Sequence, residues 1–279
     1  MCRVQASGLS AVTEQAGACL CDWKMMYCTI LCPYFSDWLA NRNQRVVVNG
    51  HCSMWKDLLS GVPQGSVLGP LLFFVYINDV DDSVNSKILK FADDTKIFLD
   101  GSEEDVNSLC SYLCNLVEWS KEWQMLFNVE KCKVMHFVYN NPVNISKFCE
   151  MDGIDLECVS NEKDLGVIIS ANLKWEKQCK GVVINANKIL GMIKWNFSHR
   201  TKETILPLYK SLVRPRLEYC SQIWSLHYVK DIKLIEAMQR RVTKLAESVK
   251  DLHCNERLKL LGLMRLDKHR DRSNVIGNF

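Results

Sequence analysis

Asp93 and Asp94 stand side by side between two short runs of alternating apolar and polar residues, Ile88–Ala92 and Lys96–Leu99. The pattern predicts a strand, a two-residue turn formed by the pair itself, and a second strand. Two carboxylates held together on a rigid hairpin repel each other. A hard divalent cation, which prefers oxygen ligands, relieves that repulsion. The same pair also suits a solvated turn, because Asp is a favoured turn residue. Upstream, Ser60–Pro70 carries Gly61, Gly65 and Gly69 around Pro63 and Gln64. Such a loop lets a ligand approach the backbone and leaves amides for a phosphate or sugar at the start of the next helix. A loop with a purely structural job reads the same way. Asp79, Asp81 and Asp82 are either further cation ligands or a solvated turn. Far downstream, Lys230, Lys233, Arg240, Arg241 and Lys244 form a basic set suited to a phosphate backbone.

These residues belong to a chain of 279 residues, 48% hydrophobic and 24% charged, enough for one large or two smaller globular domains. The net charge of +3 implies nothing about partners, but its distribution does. Residues 93–169 hold fifteen acidic and six basic residues, whereas residues 170–250 hold six acidic and sixteen basic. An acidic site next to a basic binding surface would produce this asymmetry, as would two sets of solvated helix faces. The fourteen cysteines are scattered singly, without paired CxxC knuckles, so structural zinc is not expected. Met1–Ser10 has no apolar core of the secretory kind, and free thiols fit a reducing compartment. The longest apolar run, Leu71–Ile77, is too short to span a bilayer. The chain is therefore expected to be intracellular, nuclear or cytoplasmic, with no membrane partner.

The elements that must position the site are read as follows. Residues 1–32 form an atypical segment with no clear element and are expected to be poorly ordered. Tyr34–Asn41 has helical spacing, and Gln44–Val48 and His51–Leu59 read as a hairpin around Asn49-Gly50. Leu71 to about Asp79 is apolar nearly all round and predicts a buried helix. The helix from Ser102 to Trp123 carries a stripe of Val106, Leu109, Leu113, Leu116 and Val117. Strands are expected near Asn128–Phe137 and Lys163–Ile169. Beyond Ser170 the pattern becomes helical, over Val182–Trp195, Lys202–Val213 (closed before Pro215) and Ile232–Val249. This suggests parts at 33–169 and 170–279, divided near Ser170.

Taken together, Ser60–Phe73, Tyr76-Ile77-Asn78-Asp79 and Phe91-Ala92-Asp93-Asp94 resemble the reverse transcriptases of non-LTR, LINE-type (jockey-like) retrotransposons. Asn41–Gly50, Asn128–Cys132 and Leu208–Tyr219 extend the resemblance, which covers about Tyr34 to Arg272. It implies an α+β fold of the right-hand polymerase kind: an antiparallel palm sheet with packed helices, partial fingers, then a helical thumb. It implies RNA-directed DNA synthesis by nucleotidyl transfer, with Asp93 and Asp94 as catalytic ligands of two Mg²⁺ (or Mn²⁺) ions. Gly61, Pro63, Gln64 and Gly65 would line the incoming nucleotide and template, and Lys131 would stand near the leaving pyrophosphate. Arg42, Arg45, Arg240, Arg241 and Lys244 would contact nucleic acid. The implied partners are an RNA template, a DNA primer and dNTP.

One feature of the family is missing. Its members carry an earlier palm strand with another metal-binding aspartate, and Met1–Ile30 contains no matching stretch; Asp22 has neither the spacing nor the neighbours. The upstream fingers and an endonuclease domain are also missing, so the sequence reads as an N-terminally truncated copy with an incomplete two-ion site. Three outcomes are expected of such a chain. It is a polymerase inactive by itself, a non-catalytic RNA or RNA–DNA hybrid binding remnant, or a chain whose sheet lacks a central strand and does not fold stably.

Overall fold

The structure, a computed structural model, describes residues 2–6, 10–11, 37–58, 61–63, 65–82, 84–99, 103–137 and 149–276. The chain divides into two compact units, Met1–Val159 and Ser160–Phe279. The mixture of helix and strand is that of an α+β protein.

The first unit is built on a five-stranded sheet. In chain order its strands are β1 (Cys2–Ala6), β2 (Lys87–Phe91), β3 (Asp94–Leu99), β4 (Lys133–His136) and β5 (Glu157–Cys158), arranged β5-β4-β1-β3-β2. β1 lies in the middle, antiparallel to β3 (Cys2 opposite Leu99, Ala6 opposite Thr95) and to β4 (Cys2 opposite His136, Gln5 opposite Lys133). The central slot expected to be vacant is therefore filled, which removes the reason given for an unstable sheet. Cys2-Arg3-Val4-Gln5-Ala6 does alternate, but five residues beside a run of small ones carry too little periodicity to stand out. The remainder of 1–32 lies outside the described residues, apart from Ser10–Ala11, which pair with Met125–Leu126.

Two helices accompany the sheet, α1 (Leu68–Tyr76) and α2 (Glu103–Glu122). α2 is the crossover between β3 and β4, which run parallel to each other on either side of β1. Its expected stripe is real: Leu109, Leu113 and Leu116 are fully buried with Ile97, Leu99 and Val134. Each such leucine contributes about 2 kcal/mol of burial. The capping pair Ser102 and Asp105, and the side chain of Val106, lie outside the described residues. α1 starts three residues earlier than expected and is buried on one face only; Leu72 and Tyr76 point inward while Leu71 and Phe74 are exposed. The Tyr76 hydroxyl donates to the Trp123 carbonyl, and the two rings meet edge to face at 5.6 Å.

The expected hairpin around Asn49-Gly50 is present, with both turn residues at positive φ (50° and 82°), as a tight two-residue hairpin turn requires. It is split into an outer pair, Arg42–Gln44 with Lys56–Leu58, and an inner pair, Val47–Val48 with His51–Cys52. The split falls where the Ser53 hydroxyl accepts the Val46 N–H at 2.9 Å in place of a ladder bond.

The second unit begins with the hairpin β6 (Asn161–Asp164) and β7 (Val167–Ser170). This hairpin pairs with itself and packs with the helices, so the compact unit starts at Ser160 and not near Ser170. The helices follow as α3 (Glu176–Asn196), α4 (Lys202–Leu208), α5 (Arg214–Glu218), α6 (Val229–Thr243), α7 (Cys254–Leu260) and α8 (Leu266–Ile276). A π-turn at Tyr209–Val213 joins α4 to α5, so helical structure continues past Pro215 where a stop was expected. A wider turn absorbs the amide that proline lacks. α6 ends at Thr243, earlier than expected, and a short 3₁₀ turn covers Glu247–Val249. Trp224, Tyr209, Leu217, Met238 and Leu266 form the centre of the core.

Two arginines are buried in this unit. Arg270 donates to the Leu217 and Trp224 carbonyls, and its guanidinium lies 3.8 Å from the centre of the Trp224 ring. Burial lowers its pKa to about 10. Arg257 donates to Thr243 Oγ1 at 3.0 Å and to the Leu252 carbonyl at 3.1 Å. Cys179 is buried near Arg270, and its thiol is pushed up to about 12, first by burial and then by Asp231. Among the described residues, no helix is long and apolar enough to cross a membrane.

Candidate active site and nucleic-acid contacts

The β2–β3 ladder runs to a final rung of Phe91 opposite Asp94. The two-residue turn is therefore Ala92-Asp93, one residue earlier than expected. Ala92 sits at φ +50°, a left-handed conformation that costs a non-glycine residue about 1 kcal/mol. The shift separates the two carboxylates. Asp94 joins the ladder and is half-buried, while Asp93 stays in the turn, exposed.

The neighbouring acids have structural work. Lys90 Nζ binds Asp81 Oδ1 at 2.6 Å and the Asn78 carbonyl at 3.0 Å, which ties β2 to the turn after α1. The Trp119 indole donates to Asp79 Oδ1 at 3.1 Å. Asp79 and Asp81 are thus held by protein partners, and Asp82 is exposed in the same turn.

The sheet register gathers other residues at the end where Asp94 stands. Gln5 of β1 is flanked by Lys96 of β3 and Lys133 of β4. Asp94 precedes Lys96 by two residues, and Lys131 precedes Lys133 by two. Lys131 closes the 3₁₀ turn Val129–Lys131 and is exposed. Lys131 and Asp94 accordingly reach the same end of the sheet from opposite sides of β1. The strand between them contributes no acid, since the first acidic residue in the chain is Glu14. Among the described residues, no group of three or more His, Cys, Asp or Glu side chains could hold a metal ion. A two-ion site needs a ligand that bridges both ions, and Asp93 and Asp94 stand in different environments, one exposed and one half-buried.

The glycine-rich loop is shaped by its own hydrogen bonds. Ser66 Oγ donates to the Pro63 carbonyl at 2.8 Å and accepts the Gly69 N–H at 3.0 Å, satisfying an amide in the first turn of α1. Gly61 and Gly65 both have φ +79°, with open space where a Cβ would stand. Gly69 is different: a Cβ there would meet Ser66 Oγ at 3.0 Å and the Pro63 carbonyl at 3.3 Å. Gln64 lies outside the described residues. Arg42 fixes the loop from below, donating to the Leu39 carbonyl at 2.7 Å and the Gly61 carbonyl at 2.5 Å. Arg45 stacks its guanidinium 4.6 Å from the centre of the exposed Trp55 ring.

The residue pattern, the glycine loop and the carboxylate hairpin agree with a match to the family described as reverse transcriptase (RNA-dependent DNA polymerase), over residues 21–197. The chain belongs to this family. The match includes the glycine loop, the Asp-Asp hairpin and Lys131, and it runs on through β6, β7 and α3. Related reverse transcriptases are of the LINE type. The chain is 28% identical over 230 residues to a probable RNA-directed DNA polymerase from transposon X-element of Drosophila melanogaster, covering 78% of this chain and 25% of that protein. It is 25% identical over 219 residues to the RNA-directed DNA polymerase from mobile element jockey of the same species, covering 74% and 24%. It is also 25% identical over 247 residues to a retrovirus-related Pol polyprotein from type-1 retrotransposable element R1 of Bradysia coprophila, covering 80% and 23%. The chain spans about a quarter of the length of the curated relatives it matches.

The basic residues of α6 lie in the second unit, beyond the family match. Arg240 and Lys244 are exposed one turn apart, and Arg241 donates to Asn187 Oδ1 of α3 at 3.1 Å. Sequence reasoning missed β1, whose signal is its five-residue alternation. It also missed the buried arginines, which read in sequence as surface charge.

Proposed function

We propose that this chain is the palm and thumb portion of an RNA-directed DNA polymerase, that it holds an RNA template with a DNA primer, and that by itself it adds no nucleotides. The observation that supports this reading is the composition of β1. The strand beside Asp94, where the family places its other palm aspartate, reads Cys-Arg-Val-Gln-Ala. The sheet of the first unit corresponds to the palm, and the helices after Ser170 to the thumb. Asp93 and Asp94 are the remaining ligands for Mg²⁺ or Mn²⁺, and Lys131 at the same end of the sheet would face the leaving pyrophosphate. Gly61, Pro63, Gln64 and Gly65 would form the floor for nucleotide and template. Arg42 would act there mainly by holding the Gly61 carbonyl, and Arg45 by presenting Trp55 as a stacking face. No catalytic step is assigned to the ions, because the described donors stop at two carboxylates.

The deciding assay is dNTP incorporation on primed poly(rA) with Mg²⁺ or Mn²⁺. The expected outcome is no extension above background, with retained binding of the hybrid. Robust extension that Asp93→Ala abolishes would overturn the reading of an inactive chain.

The second reading, a purely nucleic-acid-binding role, is favoured by the basic set on α6. It expects hybrid affinity to fall with salt, to be unchanged in Asp93→Asn, and to drop when Arg240 and Arg241 are replaced by alanine. Affinity independent of salt would exclude it.

A further inference from the structure

A pocket of about 250 Å³ opens in the second unit, past the residues that match the family. Two helical faces make its walls. Lys210 and Arg214 come from the π-turn and α5, one turn apart, and His269 and Arg272 come from α8, also one turn apart. Leu263 and Met264, on the connection between α7 and α8, give it an apolar side.

The charge in this pocket is not balanced. Glu218 is the carboxylate that serves it, and it is committed twice: to Arg214 Nε at 3.7 Å and to His269 Nδ1 at 2.7 Å. His269 Nδ1 and Glu218 Oε1 lie 2.7 Å apart, which brings α8 against α5. This clip sets the spacing of the cations. Among the described residues Lys210 and Arg272 have no acidic partner, and both are exposed at the mouth. Three permanent cations around a concave site with one carboxylate attract an anion, and a guanidinium fork suits phosphate oxygens in particular.

We propose that this pocket binds phosphate, and that the phosphate is that of a nucleic-acid strand, with the adjoining sugar or base resting on Leu263 and Met264. The anion site stands on the pocket alone; its assignment to nucleic acid rests on the function proposed above. The contact would extend the nucleic-acid-binding surface to α5 and α8, beyond the basic residues of α6.

The test compares two double variants of the full chain, Lys210→Ala/Arg272→Ala in the pocket and Lys177→Ala/Lys188→Ala on α3. Each removes the same charge at exposed positions, so neither should disturb the core. Fluorescence anisotropy of a labelled RNA–DNA hybrid is read across a salt series. Each lost phosphate contact lowers the slope of log affinity against log salt by about 1. The pocket variant should therefore lose about two of that slope and bind roughly tenfold more weakly at low salt, with the α3 variant near wild type. Equal losses in both variants would overturn the pocket. Inorganic phosphate provides the second arm. If it raises the melting temperature of the wild type and not of the pocket variant, while hybrid binding is the same in both, the site takes a free anion and the nucleic-acid assignment is wrong. If the wild-type chain binds no hybrid at all, the proposed function fails, and a phosphate-dependent melting shift then decides the pocket separately.

Discussion

The two units differ in where their most distinctive charged residues lie, although the first also buries Lys96 at 7% exposure. In the first unit, the residues that carry the family resemblance sit on turns and strand ends, exposed or half-buried: Asp93, Asp94, Lys131 and the glycine loop. In the second, two arginines are pulled into the core, with Arg257 2% and Arg270 3% exposed. A site that must meet a ligand keeps its polar groups accessible and carries local strain, as at Ala92. A scaffold built from short helices uses charged groups to satisfy the carbonyls left at helix ends and in the turns between them. Arg270 does this for Leu217 and Trp224, and Arg257 for Leu252. The recognisable motifs and the buried arginines thus lie in different halves.

The sharpest way to break this contrast is Arg270→Ala. It removes a stacked cation and leaves two buried carbonyls without donors, which should cost about 3 kcal/mol. Equilibrium unfolding by urea is the check, and a loss below about 1 kcal/mol would mean that the buried arginine is not what holds α8 to the core. Gly69→Ala comes next. The added methyl meets Ser66 Oγ, which is already fixed between Pro63 and the Gly69 amide, so the loop must shift at a cost of about 1–2 kcal/mol. The same unfolding measurement reads it, and unchanged stability would show that the loop yields freely.

Ala92→Gly should act in the other direction. Glycine accepts φ +50° without the Cβ clash, so the hairpin should gain up to about 1 kcal/mol. A loss of stability in that variant would show that the turn is not strained. The smallest effect concerns the surface of the second unit. Glu176 is held at about 2, below the usual carboxylate range, first by its hydrogen bond to Lys180 and then by Lys230. A carboxylate depressed in the folded state stabilises above its unfolded pKa of about 4.5, and that contribution fades as pH falls toward 2. Melting temperature followed over this window should fall less steeply in Lys180→Ala/Lys230→Ala than in the wild type. Identical slopes would show that these ion pairs contribute nothing measurable in solution.

Much of the candidate site could be read without coordinates. Phe91-Ala92-Asp93-Asp94, the glycine loop and the α2 stripe are local patterns, and their spacing along the chain carries the family assignment. The hairpin turn was misplaced by one residue, because alternation alone does not decide which residue accepts positive φ. The roles of Asp79 and Asp81 were also undecidable locally. Their partners, Trp119 and Lys90, come from α2 and β2, forty and nine residues away.

What the sequence by itself determined was the kind of protein: motifs of contiguous residues survive in one dimension, and so does the absence of an acid before Glu14. What only the tertiary structure decided was which strand lies beside Asp94, which arginines are buried, and which cations converge on one pocket. These depend on pairing between segments far apart in the chain. β1 bonds to strands some ninety and one hundred and thirty residues away, and Lys210 and Arg272 line one pocket from two separate helical segments. Hydrophobic periodicity says that a strand or helix has a face to bury, but the partner that covers it is chosen by the packing of the whole unit.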